Sequence, residues 1–260
     1  MMKIAALQMQ SVLADVSANL ARVEQAAKEA ASQGAGLLIV PELAVTGYGG
    51  GEAMASLASP AGGEIEQRLA EIARVYSIAV VAGFAERAGD KVYNSAIFVD
   101  EKGNSRIYRK SHLYGDYERC LFCAEKPSAV LVEYGGITFG MLICYDVEFP
   151  ENVRRLALAG AELVVVPTAL PKGASGSFIA QTLIRTRAFE NQVYVAYVNH
   201  SGSDGAFDYA GLSCIAAPDG QFLAQASADN DALLYAEIEP GAYAQSRQEN
   251  TYLRDLIPLT

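Results

Sequence analysis

Long hydrophobic runs are missing from this sequence: no apolar stretch approaches the roughly 18 residues that span a bilayer. The start, Met1-Met2-Lys3-Ile4-Ala5-Ala6-Leu7, turns polar at Gln8 and Gln10 and lacks a signal-peptide apolar region and cleavage site. A cytoplasmic protein is therefore expected. Basic charge is scarce, with 20 Lys and Arg against 30 Asp and Glu and a net charge of −10. Such a field repels phosphate backbones and anionic lipid, so neither nucleic acid nor a membrane surface is an expected partner. Cysteine is limited to Cys120, Cys123, Cys144 and Cys214, and histidine to His112 and His200. The Cys120-x-x-Cys123 pair would need two more ligands to hold zinc, and only His112 lies close in sequence. A redox pair would want a strand-to-helix junction. No metal and no organic cofactor is expected.

Apolar residues are plentiful, at 51% of 260 residues against 19% charged, enough for a substantial core. Residues 2–10 read as a strand. Asp15 or Ser17 can cap a helix that carries Leu20, Val23 and Ala27 on one face and ends at Gly34. Residues 36–40 read as a buried strand stopped by Pro41. A helix near 64–76 presents Ile65, Leu69 and Ile72, and a strand at 78–83 follows. Strands at 92–99 and 105–108 are joined by a turn at Glu101-Lys102-Gly103-Asn104. Residues 111–128 read as an irregular stretch rich in aromatic and charged side chains. Strands at 129–134 and 137–143 flank Gly135-Gly136, with Cys144 at the end of the second. A helix opens near Pro150 and ends by Gly160. A buried strand at 163–166, a helix over 176–191 and a strand at 193–199 come next. A hairpin at Pro218-Asp219-Gly220 and a strand at 231–237 complete the core, and the last twenty residues read as an extended tail. Asp219, Asp229 and Asp231 are expected in turns facing solvent. The pattern is α/β, two strand–helix halves with sheets covered by outer helices. No Gly/Ser-rich or charged linker divides it, so one domain over 1–260 is expected.

Three polar residues stand where buried strands end. Glu42 follows Leu38-Ile39-Val40-Pro41, Lys110 follows Ile107-Tyr108-Arg109, and Cys144 follows Met141-Leu142-Ile143. In open α/β sheets the ligand crevice lies outside the carboxyl ends of strands. A thiol is weakly ionised at neutral pH, so a nucleophilic cysteine needs a base or a cationic setting. Glu42 could accept its proton, and Lys110 could stabilise the thiolate and then an oxyanion. Backbone N–H groups after Cys144 could complete the oxyanion hole. Singly, each residue also has an ordinary reading: an inert buried thiol, a loop carboxylate, a solvated surface cation.

The segments Pro41-Glu42-Leu43, Tyr108-Arg109-Lys110-Ser111-His112-Leu113 and Ile143-Cys144-Tyr145-Asp146 with Phe149-Pro150-Glu151 resemble, in order and spacing, the three signature blocks of the nitrilase superfamily of carbon–nitrogen hydrolases. The likeness runs from Ile4-Ala5-Ala6-Leu7-Gln8 to Arg187-Ala188-Phe189-Glu190-Asn191. It implies a four-layer αββα sandwich with Glu42, Lys110 and Cys144 as catalytic residues. A second glutamate eight residues after the lysine is also implied, here Glu118, to orient Lys110 or the substrate through a charged hydrogen bond. Tyr145, Glu148, Thr168 and Ala169 are the candidate substrate-binding residues. Relatives often continue after the second glutamate with phenylalanine and then Pro-Gly. This chain has Phe122-Cys123-Ala124-Glu125, a loop expected near the pocket where substrate choice is made.

A papain-type scheme would need His112 or His200 beside Cys144, which nothing in the sequence provides. His112 is expected to support the site, and His200 to line the pocket's edge. The resemblance implies hydrolysis of a small amide to acid and ammonia through a thioester on Cys144. A short C-terminus favours an amidase over a nitrilase, and Glu148, where several relatives with acidic substrates carry arginine, suits a neutral or amine-bearing aliphatic amide. Glu148 at a helix start could also serve only to neutralise it. An N-carbamoyl hydrolase, a nitrilase and a non-catalytic binding relative are the other readings. Self-association as a homodimer or higher oligomer is expected, through the helices after the cysteine strand and the apolar tail residues Tyr243, Tyr252, Leu253, Leu256 and Ile257.

Overall fold

The computed structural model describes residues 1–257; the last three residues of the expected domain and tail lie outside that range. Strand β1 (Met2–Gln8) leads into α1 (Val16–Ser32), whose cap is Asp15: its carboxylate accepts from Ala18 N at 2.9 Å. Gly34, at φ +79°, turns the chain out of the helix. Strand β2 (Leu37–Ile39) follows, then the short α2 (Ala53–Leu57) and β3 (Ser59–Pro60). Helix α3 (Glu64–Tyr76) buries Ile65, Leu69, Ile72 and Ala73, one face of a 3.6-residue period. Strands β4 (Ala79–Ala88), β5 (Lys91–Val99) and β6 (Ser105–Arg109) then form an antiparallel meander.

The stretch expected to be irregular contains a helix, α4 (Gly115–Leu121). It spans only seven residues and buries Glu118 alone, so it has no apolar stripe to betray it. The second half runs β7 (Leu131–Tyr134), β8 (Ile137–Met141), α5 (Pro150–Leu158), β9 (Leu163–Pro167), α6 (Ala174–Phe178) and α7 (Ile184–Asn191), the last two joined through a π turn at Ile179–Leu183. Strands β10 (Tyr194–Val198), β11 (Cys214–Ala216), β12 (Phe222–Gln225) and β13 (Ala232–Ile238) complete it. Strand β8 ends at Met141, so Cys144 sits beyond it at the start of a 3₁₀ turn, Cys144–Glu148. The tail is not wholly extended: it holds a 3₁₀ turn, Pro240–Tyr243, and helix α8 (Ala244–Glu249).

One sheet has the order β13-β1-β2-β4-β5-β6, with β3 on β4; the other has the order β12-β11-β10-β9-β8-β7. Side-chain alternation builds the layers. In the first sheet Ile4, Ala6, Leu37, Ile39, Ala79 and Val81 join a core cluster with the second sheet. Their neighbours Ala5, Leu38, Val80 and Ala82 instead meet Leu20, Val23, Leu69 and Ile72 of α1 and α3. The second sheet packs on its other side against Val153 and Leu156 of α5 and Ile184 and Ala188 of α7. The result is the expected α/β architecture, helices outside and two sheets face to face.

Strand direction gathers the site. β1, β2 and β4 run parallel, and two antiparallel pairings return β6 to the direction of β4. Glu42 and Lys110 therefore emerge at the same edge of the sheet. β8, β9 and β10 are parallel in the facing sheet and carry Cys144 to its own carboxyl edge. Gly83 lets the Glu42 turn approach β4: a Cβ there would lie 2.3 Å from Leu43 N and 2.7 Å from Glu42 Cα. Gly83→Ala is expected to push the Pro41–Leu43 turn outward and cost about 1–3 kcal/mol. Urea unfolding checks this, and an unchanged midpoint would show that the turn yields freely.

Candidate active site

The turn after β2 is tied to β4: Val40 N donates to Val81 O at 2.9 Å and Gly83 N to Pro41 O at 3.2 Å. From the other side His200 Nε2 lies 2.7 Å from the Glu42 carbonyl oxygen, so this nitrogen carries the proton and donates. Burial lowers the His200 pKa and keeps the ring neutral. His200 thus sits behind Glu42 and not at the pocket edge where the sequence suggested it. Lys110 leaves β6 with its N–H donating to Asn94 O at 2.9 Å. Cys144 has φ +43°, a left-handed conformation unusual for a residue with a side chain.

The Lys110 ammonium joins two carboxylates, donating to Glu42 Oε1 at 2.6 Å and to Glu118 Oε1 at 2.7 Å, with all three side chains fully buried. The carboxylates differ in their remaining partners. Glu118 also accepts from Tyr48 OH at 2.8 Å and from Tyr114 N at 2.9 Å, so both of its oxygens are engaged. Glu42 accepts from Asn94 Nδ2 at 2.6 Å, again on Oε1, while its Oε2 is buried without a partner among the described residues. Burial raises the Glu42 pKa to about 7; Lys110 pulls it down and the Glu118 charge pushes it up. Burial opposes the Lys110 ammonium too, but Glu42 and Glu118 outweigh it and hold its pKa well above the ordinary lysine range. Burial, followed by the Glu42 charge, pushes the Cys144 thiol up, against the pull of Lys110 and the Ala169 N–H. At neutral pH the resting thiol keeps its proton, and one oxygen of the Glu42 carboxylate is without a partner among the described residues.

Asp146 binds the cysteine turn to the lysine segment. Its carboxylate accepts from Tyr108 OH at 2.9 Å, Ser111 Oγ at 2.9 Å, His112 N at 2.8 Å and Ile143 N at 3.2 Å. His112 Nδ1 lies 3.0 Å from it, with the ring stacked on Phe149 at 3.9 Å, so His112 supports the turn from outside. Arg187, on α7, closes the other side by donating to Val147 O at 2.8 Å and Glu148 O at 2.7 Å. Asp146 lies in the Ile143–Asp146 block and Arg187 in the Arg187–Asn191 block, but the sequence pattern alone assigns neither a role. A buried charge two residues past the cysteine is the signal that was available.

Cys144 opens on a cavity of about 360 Å³ lined by Tyr114, Glu148, Ile179 and the segment Leu170–Gly176, a loop that runs into α6. Among the expected substrate-binding residues, Glu148 lines it directly. Tyr145 packs edge-on against Tyr114 and Phe149. The Ala169 backbone N–H opposes the upward shift of the Cys144 thiol. Thr168 is buried and donates to Val166 O at 2.9 Å, so it shapes the strand end and does not line the cavity. The Phe122–Glu125 loop is not part of the lining either. Cys123 N donates to Val92 O and Glu125 N to Lys110 O, laying this segment back along β5 and β6. The Leu170–Gly176 segment takes the place expected for it. Cys120 is exposed and Cys123 partly so, and no metal-holding cluster of His, Cys, Asp and Glu occurs among the described residues.

Residues 3–248 match the carbon–nitrogen hydrolase family. The chain is 44% identical to a hydrolase in the pqqF 5′ region of Pseudomonas protegens, over 99% of this chain and 90% of that one. It is 34% identical to the (R)-stereoselective amidase of a Pseudomonas species, over 98% and 91% respectively. An amidase of known structure from Nesterenkonia sp. superposes with a TM-score of 0.88 at 33% identity, covering 98% of this chain and 93% of that one. Variants of a Nesterenkonia amidase have also been seen with acrylamide added at the active-site cysteine, in a glutamate-to-glutamine variant, and in complex with butyramide, in a cysteine-to-alanine variant. The chain belongs to the carbon–nitrogen hydrolase family and, in sequence and in fold, stands among the amidases of the nitrilase superfamily.

Proposed function

We propose that this protein hydrolyses a small aliphatic amide, neutral or amine-bearing, to the acid and ammonia, with Cys144 as nucleophile, Glu42 as base, Lys110 as oxyanion stabiliser and Glu118 as the anion that fixes Lys110. The observation that carries the reading is the asymmetry of the two buried glutamates. Glu118 has both oxygens occupied and suits a fixed support. Glu42 keeps one free oxygen and a pKa near the working pH, at about 7, as a general base requires.

In the first half, Glu42 takes the Cys144 thiol proton and the sulfur attacks the amide carbonyl carbon. The carbonyl oxygen gathers negative charge, which the Lys110 ammonium and the Tyr145 N–H receive. The C–N bond breaks as Glu42 returns its proton to nitrogen, so ammonia leaves and a thioester remains. In the second half, Glu42 removes a proton from water and the resulting hydroxide attacks the thioester. The C–S bond breaks and the sulfur regains its proton, restoring the resting pair. A fixed cation in a dry site needs no reorganisation as charge develops.

The cavity, about 360 Å³, suits a small ligand. Leu170 and Ile179 give it an apolar wall, and butyramide in the Nesterenkonia relative supports an aliphatic acyl group. Glu148 supports the amine-bearing preference. Its carboxylate has no hydrogen-bond or ion-pair partner among the described residues. Burial raises its pKa while Lys110 and Arg187 oppose that shift. A ligand ammonium would supply the missing partner.

Cys144→Ala is expected to abolish ammonia release from a panel of amides while leaving the urea-unfolding midpoint within about 1 kcal/mol of wild type; residual turnover above a few per cent would rule out the thioester route. The active resting pair is ionised Glu42 with protonated Cys144, so kcat/KM should fall about tenfold per pH unit below an apparent pKa near 7 and stay level for at least one unit above it. A rate level down to about pH 5 would remove Glu42 as the base. Glu148→Arg is expected to move the kcat/KM ratio of an amine-bearing over a carboxylate-bearing amide of equal length by about tenfold or more toward the acid; an unmoved ratio would show that Glu148 does not select charge.

A further inference from the structure

We propose that Asn94 is a positioning residue of this site: by donating to one oxygen of Glu42, it assigns proton transfer to the other. The assignment rests on the reading of Glu42 as the base. Asn94 lies on β5, where Ser95 pairs with Arg109 of β6. The next ladder step sets Asn94 beside Lys110, whose N–H donates to the Asn94 carbonyl at 2.9 Å. Facing residues on adjacent strands project to the same side of a sheet. One register therefore delivers the asparagine amide and the lysine ammonium to Glu42 together.

Both donors meet the same atom. Asn94 Nδ2 and Lys110 Nζ each stand 2.6 Å from Glu42 Oε1, and Glu42 Oε2 is buried without a partner among the described residues. The amide orientation follows from charge, because a flipped Asn94 would set its own oxygen against the carboxylate. Asn94 is fully buried and its Oδ1 also lacks a partner among the described residues. An unpaired buried acceptor is unfavourable, and an apolar side chain of equal volume would avoid it. The residue is thus suited to this place by its donor alone.

A carboxylate oxygen that accepts two strong hydrogen bonds is the poorer proton acceptor, so the thiol proton goes to Oε2 and leaves from Oε2 to the departing nitrogen. The groups that act on this carboxylate are Lys110 after β6, Glu118 on α4 and Cys144 on the turn after β8. Tyr48 and Tyr209 also feel its charge, and His200 meets its backbone carbonyl. The Asn94 bond favours the ionised form of Glu42. Its loss favours the protonated form, so the pH needed to free the base must rise.

The test measures kcat/KM against pH on a small aliphatic amide for Asn94→Ala and Asn94→Leu, with Glu42→Gln alongside. Iodoacetamide alkylation of Cys144, read by peptide mass, is followed over the same range. Asn94→Leu keeps the four-atom branched outline without the cavity that alanine leaves, so the result is readable even where truncation to alanine unfolds the chain. The expected result is an acid limb displaced upward by about one pH unit in both profiles, with KM little changed. The loss would then be close to tenfold near pH 6 and much smaller near pH 9. A uniform loss at every pH, with both limbs at their wild-type positions, would overturn the role of Asn94 and leave Glu42 standing as base. A limb that persists in Glu42→Gln would overturn both.

Discussion

Everything in this molecule bends to one constraint: a lysine ammonium, cut off from water, shared between two carboxylates. Removing such charges from solvent is costly, and only tight pairing offsets it; breaking a buried pair typically costs about 3–5 kcal/mol. Lys110 satisfies that requirement at 2.6 Å and 2.7 Å from two glutamates that are equally buried. Two anions against one cation still leave the cluster short of positive charge. Burial raises Glu42 to about 7, opposed by Lys110 and reinforced by the Glu118 charge, and burial followed by the Glu42 charge leaves the Cys144 thiol protonated. The reactivity of the site is therefore a property of its charge count and its dryness.

Keeping the cluster dry and exact in geometry is the work of the two sheets. Their shared apolar layer seals the inner ends of the strands, and the polar residues emerge just beyond it. The cysteine is held in a left-handed conformation at φ +43°, which carries strain of about 1–3 kcal/mol. The surroundings offset this by gripping the turn from both flanks. Asp146 fastens it to the Tyr108–His112 segment, and Arg187 fastens its carbonyls to α7. Cys144, Lys110 and Glu42 thus belong to one hydrogen-bonded frame that spans both sheets.

Much of the frame was legible in the sequence, because its causes are local. Buried strands ending in Pro41-Glu42 or Ile143-Cys144 announce themselves by apolar runs and a sudden polar residue. Helices α1 and α3 declare their faces through Leu20 and Val23, or Ile65, Leu69 and Ile72. What escaped depends on long-range contact. Asn94 reads as one polar residue within a strand, and only the β5–β6 register brings it to Glu42. Helix α4 buries a glutamate and no apolar stripe, so periodicity could not find it. The Leu170–Gly176 segment has ordinary turn composition, and its place over Cys144 comes from the packing of β9 and of α6, into which it runs. Phe122–Glu125 looked like the selective loop because it departs from the familiar pattern, but it folds back along Lys110.

In the proposed route carbon–nitrogen cleavage passes through a covalent acyl group on Cys144, made possible by the buried Glu42–Lys110–Glu118 cluster. Mass spectrometry of the Cys144 peptide, after acid quench during the first turnovers of an aliphatic amide, tests this most directly. The account predicts an added acyl mass on that peptide which disappears once the amide is exhausted. Ammonia release with Cys144 unmodified at every time point, or an acyl group on any other residue, would contradict it.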